Sequence, residues 1–216
     1  MTTMSNKSIY DALRAVGMTK EGACGLMGNM MAESGMKANI AQRGMTKLTD
    51  EQYTAAADNG LLDFVHDQVG YGLIQLTFHT RKAQYLQFAK ARGVSVGDED
   101  AQVQYVIWEL KHDYPGLWEY LCESHDLFMC TQKICVEYER PAVNNVGTRF
   151  EYAEKFFAEF ANGEVKPMPE PKNWDWKIAI IQFIMQQDGY WGAPDGQKSE
   201  AFFKAWDEYG ADMRGG

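Results

Sequence analysis

Glu33 sits where an apolar helical pattern ends, and a glycine-flanked run, Gly70-Tyr71-Gly72-Leu73-Ile74-Gln75-Leu76-Thr77, follows it further along the chain. At the helical repeat, Ala23, Leu26, Met27 and Met30 share one face, and Glu33 falls at the margin of that face in the last turn before Gly35. Partial burial disfavours a carboxylate there, and so does the negative end of the helix dipole. A carboxyl group in such a place suits general-acid chemistry, the protonation of a departing oxygen. The same geometry also accommodates a glutamate fraying into solvent, and helix periodicity does not choose between the two.

A general acid acting on an acetal usually works with a second carboxylate or a held water. Asp67, just before Gly70, is the first candidate, with Asp63 and Asp58 as alternatives; a solvated turn aspartate is the competing reading. Gly70 and Gly72 allow backbone to come close to a ligand. Gln75 carries both donor and acceptors, suited to hydroxyl groups or to a water, or else to satisfying the fold itself. Tyr71 and Tyr138 are candidates for lining a cleft, with core packing as their alternative. Glu139 follows Tyr138, and an ion pair with Arg140 at a helix end is the simplest use for it.

The elements that must position these groups are mostly helical. Ile9, Leu13 and Val16 have helical spacing, with Gly17 as a stop. Thr19 is placed to cap the helix that carries Glu33, and Gly35 to end it. A short helix is expected after Asp50, and 71–76 reads as a short strand or extended segment. Thr77 is placed to cap a helix running to Gly93. Asp98 starts another with Val103, Val106, Ile107 and Leu110, and a further helix covers 126–139 before Pro141. Thr148 and Glu151 have capping-box spacing ahead of Phe156, Phe157 and Phe160, with Asn162-Gly163 as the stop.

Three prolines at alternate positions stiffen 164–173, which divides a body at 1–163 from a small helical module at 174–216 with helices at 174–187 and 198–209. The chain has 216 residues, 45% of them hydrophobic and 13% aromatic, as in a globular protein. Its net charge of −9 argues against non-specific binding to nucleic acid. No apolar run is long enough to span a bilayer. The opening residues lack a basic segment followed by an apolar one, which points to synthesis in a host cytoplasm and exit by another route. Cys24, Cys122, Cys130 and Cys135 form no Cys-x-x-Cys pair and are expected as reduced thiols. His66, His79, His112 and His125 lack metal-ligand spacing, so neither metal nor organic cofactor is expected.

Glu33-Ser34-Gly35 together with Gly72-Leu73-Ile74-Gln75 resembles the Glu-Ser and Gly-Leu-x-Gln signatures of the lysozyme-like superfamily. The run from Gly25 to Gly35 is similar to the phage tail lysozyme family. So are Phe64-x-x-Asp67-x-x-Gly70-Tyr71-Gly72, Arg81-Lys82, the helix from Gln102 to Leu110, and Tyr138 to Ala153. The motifs recur in order over residues 8–162. The resemblance implies an α+β, mostly helical lysozyme-like fold and cleavage of the β-1,4 glycan of bacterial peptidoglycan. It implies Glu33 as general acid, and Asp67 falls on a position that the family often fills with aspartate; from the residues themselves, Asp67 is the expected supporting carboxylate, and Tyr71, Gly72, Gln75 and Tyr138 are expected at the substrate. Leu76 stands where that family often has tryptophan, a better surface for a sugar ring. The tail, with Gly189-Tyr190, Asp195-Gly196 and Trp206, is similar to peptidoglycan-binding modules but short; Tyr190 and Trp191 are open to sugar stacking, Trp206 to packing. A phage-type endolysin acting as an N-acetylmuramidase is the expected function. It would be a monomer released by a holin or carried in a virion. A lytic transglycosylase, a non-catalytic wall-binding or tail-tip protein, and a cysteine peptidase using Cys24 are the rivals.

Overall fold

The computed structural model describes residues 5–141, 143 and 145–161. The expected linker 164–173, the helices at 174–187 and 198–209, the Asn162-Gly163 stop and the aromatic residues Tyr190, Trp191 and Trp206 lie outside the described residues.

Among the described residues the α-helices are α1 (Asn6–Ala15), α2 (Lys20–Ser34), α3 (Asp50–Asp58), α4 (His79–Arg92), α5 (Glu99–Asp113), α6 (Pro115–Glu123), α7 (Leu127–Lys133) and α8 (Val146–Phe156). Helix α7 continues as a π-helical stretch, Ile134–Glu139, and α8 as another, Phe157–Ala161. The fold is mostly helical. The strand part of the expected α+β class reduces, among the described residues, to two isolated antiparallel bridges, Ala41 with Tyr71 and Tyr71 with Leu76. The run 71–76 is therefore a tight turn closed on itself: Tyr71 N–H donates to Leu76 O at 3.1 Å and Leu76 N–H to Tyr71 O at 2.9 Å.

Helix α2 is the spine. Its residues 22–30 are all buried, so it is wrapped on every side rather than on one face. Thr19 caps it by accepting from Gly22 N–H, and Gly35 ends it at φ 62°, a left-handed turn that glycine adopts without strain. Gly22, Gly25 and Gly28 lie one turn apart and bring three neighbours close. A Cβ on Gly22 would stand 2.2 Å from Leu121 O in α6, and one on Gly28 2.5 Å from Arg149 O in α8. Gly28→Ala should therefore cost about 1–3 kcal/mol through overpacking. A thermal melt of the variant against the wild type checks it.

Two expected caps are corrected. The N-cap of α4 is Phe78, without a side-chain cap bond, while Thr77 Oγ1 donates to Gln75 O at 2.9 Å inside the preceding turn. Helix α8 starts at Val146 behind Asn145, so Thr148 lies within its first turn rather than at its cap. The Thr77 hydroxyl is spent on the preceding turn, and both helices start without a side-chain cap bond. Helix α6 carried a signal that periodicity alone passed over: Pro115 at its first position.

Candidate active site

Glu33 occupies the last turn of α2, and its side chain is 18% exposed. Arg149 of α8, itself 3% exposed, donates from Nη2 to Glu33 Oε1 at 2.5 Å. The rest of that guanidinium is fixed as well, with Nη1 donating to Asn29 Oδ1 at 3.1 Å and Nε to Asn145 Oδ1 at 2.9 Å. Asn29 is held in turn by Gly25 O and Thr131 O. Glu33 thus does not fray into solvent; a pre-positioned arginine grips it. Next to it, Ser34 Oγ donates to Met30 O at 2.9 Å and lies 3.1 Å from Leu73 O, tying the end of α2 to the 71–76 turn. Together the motif Glu33-Ser34-Gly35 holds a carboxyl, a tether and a helix stop.

Glu33 opens into a cleft of about 870 Å³. Its walls come from Ile40 to Arg43, from Ile74 and Gln75, from Thr77 to Arg81 at the start of α4, from Tyr114, and from Tyr138 to Pro141. Phe78 is 70% exposed on this wall. Leu76, by contrast, is buried in the core, so the exposed aromatic surface lies two residues beyond the position that the sequence pointed to. Gln75 also lines the cleft, at a left-handed φ of 45° that is uncommon for a residue with a side chain. Its Nε2 donates to Gly72 O at 3.1 Å within its own turn.

The opposite wall rests on a buried ion pair. Arg81 reaches Glu109 with both arms, Nε to Oε1 at 2.6 Å and Nη2 to Oε2 at 2.7 Å. Tyr138 donates to Glu109 Oε2 at 2.5 Å, and the Arg81 guanidinium lies 4.7 Å from the Tyr138 ring centre. Burial, together with Glu109, holds the Tyr138 phenol well above its usual range, so it serves as a neutral donor there. Tyr138 thus lines the cleft with its ring while its hydroxyl is engaged. Glu139 follows it. Arg140 does not pair with Glu139 but is exposed, at φ 49°, with Nε donating to Glu137 O at 2.8 Å.

The structure places three other sequence candidates away from this cleft. Asp67 Oδ1 pairs with Lys82 Nζ at 2.5 Å, its Oδ2 accepts from Tyr53 Oη at 2.6 Å, and its Oδ1 accepts from Val69 N–H at 3.1 Å. It fixes Val69, just ahead of the 71–76 turn, and is not among the residues that line the cleft. Lys82 is fully buried and also donates to Val69 O at 2.8 Å; burial lowers its pKa, against the pull of Asp67. Tyr71 is fully buried, with its hydroxyl 2.6 Å from Thr54 Oγ1. Gly72, at φ 79°, makes room for the Gln102 amide: a Cβ there would stand 2.4 Å from Gln102 Oε1. The close approach that the glycines permit is to the protein's own side chains. Gln102 in turn accepts from Leu73 N–H at 2.7 Å and donates to Ala38 O at 2.6 Å.

Arg81, Arg149, Glu109 and Asn29 entered the sequence reading only as parts of family-like runs, and none was given a role there. Each acts through a partner distant along the chain, a pairing that one sequence does not display. Cys24 is fully buried, and burial with the Glu21 charge pushes its thiol up to about 12. Cys24 is expected to resist a thiol reagent in the folded chain near neutral pH and to react only after unfolding, which a timed labelling assay reads. Among the described residues no group of three or more His, Cys, Asp or Glu is placed to hold a metal ion. No helix among them is long and apolar enough to cross a membrane.

A family model described as phage tail lysozyme matches residues 5–160, which takes in every wall of the cleft. Morphogenesis protein 1 of Bacillus phage B103 is similar at 26% identity over 162 residues, 72% of this chain and 39% of that protein. The chain therefore spans well under half the length of that relative.

Proposed function

This chain belongs to the phage tail lysozyme family, and from that premise we propose that it hydrolyses the β-1,4 glycosidic bond of bacterial peptidoglycan, with Glu33 as general acid. The observation that carries the reading is Glu33 itself: a carboxyl at the end of the central helix, open to a long cleft, with its orientation set by Arg149. In this mechanism Glu33 protonates the glycosidic oxygen as the C1–O bond breaks. The positive charge developing on the sugar ring is met by the carboxylate left behind, and water completes the hydrolysis. The exposed Phe78 ring supplies a flat apolar surface for a sugar, and Gln75 a polar edge beside it. Peptidoglycan is the proposed partner of a monomeric chain. Release from a host cytoplasm through a holin-type pore, or delivery in a virion, brings it to the wall; a relative named for morphogenesis accords with the second route.

One observation favours a second reaction on the same bond. Asp67 is engaged with Lys82 and Tyr53, away from the cleft lining, so the support for hydrolysis that it lent from sequence falls away. A lytic transglycosylase needs one carboxyl and closes an anhydro ring without water. Digestion of purified sacculi separates both from peptide cleavage. New sugar ends without new amino termini support glycan cleavage, and new amino termini alone would overturn it.

A further inference from the structure

The cleft holds a second carboxyl that the mechanism above does not use. Glu139 ends the π-helical stretch Ile134–Glu139, in which Arg140 N–H reaches back five residues to Cys135 O at 2.8 Å. A π turn adds a residue to the helical cycle and re-aims the side chains that follow it. Here it sends Tyr138 toward Glu109 and leaves Glu139 in the lining of the cleft that Glu33 also lines. Glu139 Oε1 is sealed from solvent and, among the described residues, has no hydrogen-bond partner. A buried carboxylate oxygen without a partner is costly, whereas a neutral carboxyl group tolerates such a place far better.

We propose that Glu139 is the proton partner of Glu33: the two carboxyls work as one pair that brings a single proton into the cleft, with Glu33 the member that reaches the glycosidic oxygen. The inference rests on the glycan-cleaving reading given above. The surroundings agree with it. Burial first, and then the Glu33 charge, raise the Glu139 carboxyl from 4.5 to about 8; Arg81 and Arg149 pull it down and Glu109 pushes it up. These groups come from α2, α4, α5 and α8, each of the other elements whose charges act on it. Arg149 holds Glu33 Oε1 at 2.5 Å, while Glu139 Oε1 has no hydrogen-bond partner among the described residues. One proton shared by two interacting carboxyls titrates as a property of the pair. On reaction, the proton stored at Glu139 replaces the one that Glu33 gives to the leaving oxygen. The C1–O electron pair goes to that oxygen, and the proton lost by the attacking nucleophile restores the pair. Glu139 is accordingly a positioning residue, acting through Glu33.

The test combines rates and spectroscopy on the full chain. The alkaline limb of glycan cleavage should lie near pH 8 in the wild type. In Glu139→Gln it should move down by at least about one pH unit, with a roughly tenfold lower kcat at pH 7 and little change in KM. Difference infrared spectroscopy should show a protonated carboxyl band at neutral pH that Glu139→Gln removes. A proton held more tightly in the folded chain stabilises it fully below 4.5, and that contribution is lost as pH rises through about 8. The wild-type melting temperature should fall over that interval and the Glu139→Gln melting temperature should not, which also shows that the variant folds. An unchanged limb and kcat in an active, folded Glu139→Gln would overturn the pair. A wild type without glycan cleavage would overturn the function instead, while the infrared band would still decide whether Glu139 holds a proton.

Discussion

Glu33→Gln is expected to fold like the wild type and to cleave glycan about 10²- to 10⁴-fold more slowly, the usual contribution of a positioned acid. The substitution keeps the size of the side chain and an oxygen for Arg149, whose other arms remain on Asn29 and Asn145. Exchanging a charge-assisted bond for a neutral one should cost about 1–3 kcal/mol, a loss that a protein with a core of this extent survives. Circular dichroism and a thermal melt establish folding, and release of sugar ends from sacculi measures the rate. The amide cannot give up a proton to the leaving oxygen, so the rate falls while the cleft stays intact. A folded variant with wild-type rates would remove Glu33 from the chemistry.

Asp67→Asn should do the reverse. Lys82 is fully buried, and Asp67 is the acid that pairs with it. Breaking one side of such a pair costs about 3–5 kcal/mol, because the remaining charge stays out of water. For a chain of this size that lowers the melting temperature by on the order of 10 °C. The rate per folded molecule, read at low temperature, should stay close to the wild type, since Asp67 does not line the cleft. Adding Lys82→Met to Asp67→Asn should recover much of the lost stability, as two mutations within one contact do not add. A stable but inactive Asp67→Asn would return this aspartate to the reaction, as the sequence reading had it.

The parts of the site that were legible in the sequence are those set by local chemistry. Thr19, Gly35 and Asp98 marked helix ends that the structure repeats, because a cap or a left-handed residue is decided within one turn. The four apolar residues before Glu33 gave its helix, although burial all round that helix hid which side faced what. Thr77 and Thr148 misled for the opposite reason: both have capping chemistry, and both helices begin elsewhere. Glycines 70 and 72 were read as room for a ligand, yet Gly72 makes room for Gln102, thirty positions later in the chain. The grip of Arg149 on Glu33 spans 116 positions, and the clamp of Arg81 on Glu109 spans 28. Pairings at such separations are set by how helices cross, which periodicity does not encode. The π turn before Arg140 is equally silent, since its residues keep an ordinary helical composition. Glu139 was visible as a residue, but its seclusion beside Glu33 emerged only when α7, α4 and α8 were brought together.

The most direct test of the central claim is mass spectrometry of the fragments that wild type and Glu33→Gln release from purified sacculi. Fragments with reducing muramic ends, present with wild type and absent with Glu33→Gln, are the expected result. Equal release of those fragments by both proteins, or no glycan fragments from the wild type, would contradict it.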